Sequence, residues 1–525
     1  MGASSRRLAL GKQSYQVLVL SACALFAGAL LVWVTPRGVG LSPDSAVYVG
    51  AARSLLRGEG VSLPTSSGAF APVVHYPPLY PALLMLFSLT GVDAVAAARW
   101  LNAFLFSANI FLAGWIALAA TRWFWISVYA AALTMTAFPM VQVHTMAWSE
   151  PLFILFELCG SLFLLSYLQH ATYRNLVVSS IAIGLSAFTR YAGIALLVSG
   201  CSSILLFSGG KSKNRIIGAV IFVIVGSLPV VFWTARNWLI ASNAANRDFG
   251  FHPIGLEHLS EVVIVVLSWI SIPLFSTAGV QVILIGLLVS GSVAILLWIW
   301  RERRESETLG MQNSLALAML MLSNIVVYFL MLFATISFLD DQTQVDSRIL
   351  APVYAALMLL GVCISNKLLS RRETGKRSQW LLLAVALIFL SLQAMRTWPW
   401  LSLTYRDGVG YASRQWAESE IVRRVKLLEP LTPLFSNAPD VLYTLVGRPA
   451  HMIPRKVNPD TRMVNREYQP QLAQMKRNMK TANGVLVYFD QVRWRWYLPN
   501  RKELEAAIGV RSLYGGTDGS IYRVD

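Results

Sequence analysis

Charge is what this sequence has least of. Only 14% of its 525 residues are Asp, Glu, Lys or Arg, while 55% are hydrophobic. Soluble domains carry roughly a quarter charged residues, so an ordinary water-soluble fold is excluded. Cysteine is also scarce. Cys23, Cys159, Cys201 and Cys363 all fall in long apolar runs, where none can staple an exported loop and a thiol metal site is disfavoured. No HExxH, clustered His or CxxC pattern is present, and no motif for binding DNA or RNA. Neither cofactor, metal nor nucleic acid is therefore expected, although a carboxylate pair has the hard oxygen donors that suit Mg²⁺ or Mn²⁺. The chain also lacks an internal repeat of the transporter kind. It has no N-x-S/T sequon, which points to a bacterial plasma membrane rather than a reticulum membrane.

What the chain does have is apolar runs of about 20 residues, enough to cross a bilayer core about 30 Å thick. Spans are expected at 15–34, 97–120, 123–141, 151–168, 175–189, 192–208, 215–236, 278–300, 314–338, 349–366 and 379–396. This is a mostly α, polytopic membrane protein with about eleven transmembrane helices, within a range of 9 to 13. The shorter apolar stretches 79–90 and 261–276 are flanked by proline and are expected to lie along the outer surface. Leu20-Ser21-Ala22-Cys23 looks like a lipoprotein cleavage box, but apolar residues continue from Ala24 to Val34, so the first span reads as an uncleaved anchor.

Short cytoplasmic loops collect Lys and Arg. Arg6, Arg7 and Lys12, then Lys211, Lys213 and Arg215, then Arg301, Arg303 and Arg304, then Lys367, Arg371, Arg372, Lys376 and Arg377 all fall on one side of this span list. The N-terminus is thus expected in the cytoplasm, with the loop 35–96 and the region 398–525 outside. Composition changes beyond residue 397. Strand-like runs at 433–436, 484–490 and 520–524 alternate with helical stretches near 411–428, 438–446 and 469–482, which predicts a small extracytoplasmic α/β lobe. Its basic excess suits either docking on its own bilayer or contact with an acceptor.

In the first outer loop, Ser42-Pro43-Asp44 has the signature of a helix start: a capping Ser, Pro in the first turn and an acid at the positive end of the dipole. Val47, Tyr48, Ala51, Ala52 and Leu55 follow at helical spacing until Gly58 and Gly60, as in an amphipathic helix on the outer face. Asp44 is then either a helix-start acid or a functional carboxylate at the lipid–water boundary. Glu150, with Ser149 before it as helix cap, has the same two readings. The outer loops before residue 398 carry arginine and no lysine, fit for membrane-edge anchoring or for gripping a phosphate. Glu157 lies inside the fourth span, where it must be protonated, paired or facing a cavity. His144, beside Trp148, reads as an interface residue.

These residues, in this order, resemble a family. The outer helix from Asp44 to Gly58, the Pro77–Pro81 turn P-P-L-Y-P, Ala98-Arg99, Ser149-Glu150-Pro151, Gly184-Leu185 with Thr189-Arg190, Pro229 with Trp233, Arg236 and Asn237, and Asp346-x-Arg348 with Pro352 are similar to the C-type (GT-C) integral-membrane glycosyltransferases. Within these the likeness is greatest to the protein O-mannosyltransferases and the lipid A aminoarabinose transferases. The resemblance covers about 15 to 396 and implies a transmembrane catalytic domain over 1–397, followed by the lobe at 398–525.

It further implies transfer of a sugar, hexosyl or pentosyl, from a polyprenyl-phosphate carrier to a hydroxyl acceptor on a lipid, glycan or protein at the outer face, with inversion. Asp44 matches the position of the family's proposed general base, with Glu150 as a second carboxylate. Arg190, Arg236, Arg348 and His75 become candidate ligands of the donor phosphate, and Tyr48, Tyr76 and Glu157 line the substrate cavity. Two departures stand out. Only one acid, Asp44, occupies the first motif, and His75-Tyr76 stands where many relatives carry Lys before the two prolines. A flippase or transporter of lipid-linked sugars, and a polysaccharide ligase or polymerase, are the alternative readings.

Overall fold

A computed structural model describes residues 3–65, 69–209, 211–245, 249–269, 309–339, 343–370, 376–459 and 462–524. The helices in chain order are α1 (Ala3–Val34), α2 (Pro43–Leu56), α3 (Leu79–Ser88), α4 (Ala94–Thr121), α5 (Phe124–Thr136), α6 (Phe138–His144), α7 (Glu150–His170), α8 (Tyr173–Thr189), α9 (Gly193–Phe207) and α10 (Ser212–Ala241). They continue with α11 (Leu256–Trp269), α12 (Leu309–Phe338), α13 (Ala351–Ser370) and α14 (Lys376–Arg406). Among the described residues, seven are long and apolar enough to cross a membrane. The pair α5 and α6, bent by 58°, makes an eighth if counted as one span. The chain is a mostly α, multi-pass membrane protein.

Each expected span within the described residues forms a helix; the span at 278–300 lies outside them. The expected crossing at 123–141 is broken at Ala137, which is extended (φ −71°, ψ 131°). Pro139 explains the break, because its ring would clash with the carbonyl four residues earlier and it has no N–H to donate. The helices expected at 175–189 and 192–208 are short, at 17 and 15 residues. The last one runs on to Arg406, past the expected end at 396.

Burial sorts the helices. In its most apolar stretch α14 is 11% buried, against 56% for α4 and 61% for α7 and α13, so these three lie at the heart of the bundle and α14 at its rim. In lipid the hydrophobic effect does not drive helices together, and close approach by small residues takes its place. Gly184 on α8 faces Gly226 on α10, where an added Cβ would lie 3.2 Å from the Gly226 Cα. No larger residue fits at that crossing.

The lobe is a five-stranded sheet in the order β4-β3-β5-β7-β6. Its strands are β3 (Leu434–Ser436), β4 (His451–Met452), β5 (Val485–Phe489), β6 (Val510–Gly515) and β7 (Gly519–Val524), following a short hairpin, β1 (Ser62–Pro64) with β2 (Phe70–Pro72), in the first loop. β3 runs parallel to β4 and β5, while β7 is antiparallel to β5 and β6. β5 reads Val-Leu-Val-Tyr-Phe, the continuous apolar run of a strand covered on both faces. β4, β6 and the helix Arg501–Ile508 are absent from the pattern-based expectation. That helix starts at a capping box, Asn500 with Glu503, a signal the sequence does carry.

The lobe rests on the first loop. Val441 and Leu442 of its helix Pro439–Val446 share one apolar cluster with Tyr48, Val49 and Ala52 of α2. α2 is therefore roofed by protein and more enclosed than a helix lying free on a membrane surface.

Candidate active site

Three chain segments far apart in sequence are laced together just before α2. Gly40 bridges to Met146 and Leu41 to Gly410. The bonds are Gly40 N–H to the Thr145 carbonyl, Ala147 N–H to the Gly40 carbonyl and Tyr411 N–H to the Leu41 carbonyl, each 2.8 Å. This lacing sets the start of α2 against the start of α7. Ser42 caps α2, accepting from the Ser45 N–H with Pro43 in the first turn, which places Asp44 on the inner face of that turn. The indole N–H of Trp148 donates to Ser42 Oγ at 2.8 Å and closes the join.

Two carboxylates and two guanidiniums meet there. Arg348, in the loop before α13, reaches Asp44 Oδ2 with one nitrogen at 2.5 Å and Glu150 Oε1 with Nε at 2.5 Å. Arg190, which follows α8, lies 2.8 Å from the same Glu150 oxygen. Asp44 Oδ1 accepts from the Tyr76 hydroxyl at 2.7 Å. Glu150 is 1% exposed and its Oε2 has no hydrogen-bond partner. A carboxylate that deeply buried is costly unless paired, and here one oxygen takes both arginines. The Arg348 guanidinium lies 4.2 Å over the Trp148 ring, a stacking that fixes its plane.

The electrostatics follow from this packing. Burial alone would raise the pKa of Asp44, but Arg348, the Tyr76 hydroxyl and Arg190 together outweigh it and hold the carboxyl below its ordinary value. Burial, reinforced by the Asp44 charge, pushes both Tyr48 and Tyr76 up. These phenols are donors, never bases, near neutral pH.

The remaining sequence candidates fall at graded distances. The Tyr48 hydroxyl is 3.1 Å from Ser149 Oγ, and its ring meets Tyr76 edge-on at 5.1 Å. Ser149 occupies the capping position of α7 but makes no side-chain cap bond; its hydroxyl serves Tyr48 and Arg190 instead. That corrects its reading as a cap. His75 stands edge-on to Tyr76 at 4.6 Å. Arg236 stacks on Trp233 at 4.6 Å and donates to the Val73 carbonyl at 3.2 Å. It buttresses the loop that carries His75 and Tyr76 and does not join the carboxylates. Glu157 lies two turns further along α7, buried, with Oε2 unpartnered. Among the described residues no group of three or more His, Cys, Asp or Glu is placed to hold a metal ion.

Trp148 and Ser149 complete the cluster, although sequence pattern gave neither a role in it. The available signal was their place beside Glu150 at the mouth of a span, where interfacial Trp is ordinary and so carries little information.

No family model matches the chain and no curated sequence matches it. Among solved structures it is similar to ArnT from Cupriavidus metallidurans in the apo state, at 16% identity and a TM-score of 0.59 over 97% of this chain and 98% of that one. The same protein bound to undecaprenyl phosphate matches at 15% and 0.56, over 96% and 97%. The archaeal oligosaccharyltransferase AglB from Archaeoglobus fulgidus, in complex with an inhibitory peptide and a dolichol-phosphate, matches at 12% and 0.52, over 98% and 74%. At such identities the likeness is one of fold. The fold is that of the C-type membrane glycosyltransferases.

Proposed function

We propose that the chain is a membrane glycosyltransferase that moves a sugar from a polyprenyl-phosphate carrier to a hydroxyl acceptor on the outer face of a plasma membrane, with inversion. The observation that carries this reading is the Asp44–Arg348–Glu150–Arg190 cluster. It sets a carboxylate with the chemistry of a base beside two cations with the chemistry to hold a phosphate. The solved structures of this fold support the donor class, since one holds undecaprenyl phosphate and another a dolichol-phosphate.

Chemistry divides the roles. The acceptor oxygen forms a bond to the anomeric carbon while the bond from that carbon to the phosphate oxygen breaks, its electron pair leaving with the phosphate. The acceptor proton passes to Asp44. Polyprenyl phosphate departs as a stable anion, so no acid is needed to protonate it, and cations hold its charge instead. Arg348 and Arg190 fill that role, while His75 stands beside Tyr76 and Arg236, on α10, braces their loop through the Val73 carbonyl. Glu150 anchors the two guanidiniums through one oxygen, and Tyr48, Tyr76 and Glu157 shape the cavity. Donor phosphate competes with Asp44 for Arg348, so donor binding frees the carboxylate as the acceptor arrives. The basic residues gathered in the loops on one side of the span list support an N-terminus inside and this cluster outside.

The test is reconstitution of the full chain in vesicles with a polyprenyl-phosphate sugar and a candidate acceptor. Release of polyprenyl phosphate in step with a new glycosidic bond is the expected result. Passage of the carrier across the bilayer without bond formation would make the protein a flippase.

A further inference from the structure

The segment between α6 and α7 carries Trp148 and Ser149 and leads into Glu150, the first residue of α7. Behind it lie three polar side chains with no exposed surface: Asn102, Asn109 and His144. Such groups are costly in an apolar interior unless bonded, and these bond to one another and to the segment. Asn102 Nδ2 donates to the carbonyls of His144 at 3.0 Å and Met146 at 2.5 Å. Its Oδ1 accepts from Tyr80 at 3.4 Å, and the Tyr80 ring stands edge-on to Tyr48 at 5.3 Å.

Asn109 closes the other end. Its Nδ2 is 3.0 Å from His144 Nε2 and 3.0 Å from the Pro151 carbonyl. His144 Nδ1 lies 2.6 Å from the Met140 carbonyl. A carbonyl only accepts, so Nδ1 carries the proton and Nε2 accepts from the amide. Both Asn109 hydrogens are then spent, one on the end of α6 and one on the first turn of α7. Asn109 Oδ1 is buried without a partner, so the residue is held by its donor end alone.

We infer that Asn109, acting through His144 and the Pro151 carbonyl, is a positioning residue that fixes Glu150 and thereby aims Arg190 and Arg348 at the donor phosphate. The inference rests on the proposed glycosyltransferase reading. Misplacing a group by about 1 Å can cost about a hundredfold in an oriented site, and Glu150 is the one acid both arginines share.

The test uses the full chain in detergent and compares its affinity for undecaprenyl phosphate with that for undecaprenol, which lacks the anion. Asn109→Leu and His144→Leu should cut the preference for the phosphate by about tenfold, the worth of a charge-assisted hydrogen bond, and leave undecaprenol binding unchanged. His144→Gln should retain the preference, because its amide oxygen accepts from Asn109 in place of Nε2. Asn109→Leu added to the double variant Arg190→Gln with Arg348→Gln should weaken phosphate binding little beyond the double variant alone. Equal weakening toward both lipids, an unchanged preference in both leucine variants, or collapse of both would overturn the inference. Absence of any phosphate preference in the unaltered protein would instead overturn the functional reading.

Discussion

Arg348 and Asp44 are 304 positions apart in the chain, yet a guanidinium nitrogen of one lies 2.5 Å from a carboxylate oxygen of the other. The proposed base is thus held by the cation that a donor phosphate would claim. While that pair is closed Asp44 is a weak base, and the exchange of Arg348 from carboxylate to phosphate couples donor binding to base strength. Glu150 keeps Arg348 Nε at 2.5 Å, so the exchange needs only one end of the guanidinium to move.

Asp44→Asn keeps the shape of the side chain and removes the proton acceptor. Transfer should fall by about 10² to 10⁴, the usual worth of a general base. The variant should still insert and elute as a single species from size exclusion. Full turnover in a folded variant would remove Asp44 from the mechanism.

The sign of the pH response follows from the depressed pKa of Asp44. Its ion pair contributes stability above the ordinary Asp value of 3.8 and loses it as pH falls through the lower folded value. In the unaltered protein the base stays ionised throughout the neutral range. Arg348→Gln takes away the chief opposing charge and leaves burial to dominate, so the pKa of Asp44 rises. The acid limb of kcat/KM, which reports the free enzyme, should then move to higher pH than in the parent. An acid limb that stays in place would mean that Arg348 does not govern Asp44.

Much of this arrangement was legible before the fold was known, and the reason is local. Ser42-Pro43-Asp44 announces a helix start through capping chemistry that needs no tertiary information, and α2 begins there. The pairing of Arg348 with Asp44 and Glu150 is different in kind, because nothing in spacing links the starts of α2 and α7 with the loop before α13. The bridge from Gly40 to Met146 brings Asp44 and Glu150 together, and an isolated bridge leaves no periodic trace. Arg236 looked equivalent to Arg190 and Arg348 in sequence, yet only the fold shows it turned toward the Val73 carbonyl. The break at Ala137 was missed for a simpler reason: apolar content alone hides a proline-induced restart.

Glu150→Gln tests the anchor. The substitution removes the charge that both arginines share and leaves two guanidiniums facing Asp44. Breaking a buried pair from one side costs about 3 to 5 kcal/mol, and the partial exposure of Arg190 and Arg348 places the loss toward the lower end. Unfolding in detergent should therefore begin at markedly lower temperature than for Arg190→Gln, which leaves Glu150 paired with Arg348. Equal midpoints for the two variants would show that Glu150 is not the shared anchor.

Gly50 tests whether the lobe matters to the site. It lies on α2 one and a half turns beyond Asp44, and an added Cβ would meet the Tyr443 ring of the lobe at 2.9 Å and crowd Leu63 on the other side. Gly50→Val must move one of these neighbours, and overpacking of this kind costs about 1 to 3 kcal/mol. The lobe helix Pro439–Val446 is the part able to yield, since the residues just before α2 are tied by backbone bonds to Thr145, Ala147 and Tyr411. The expected outcome is faster proteolysis within 407–524 together with a lower unfolding midpoint. If transfer falls as well, seating of the lobe on α2 contributes to the geometry around Asp44; if proteolysis rises while transfer holds, the lobe protects the loop without shaping the site.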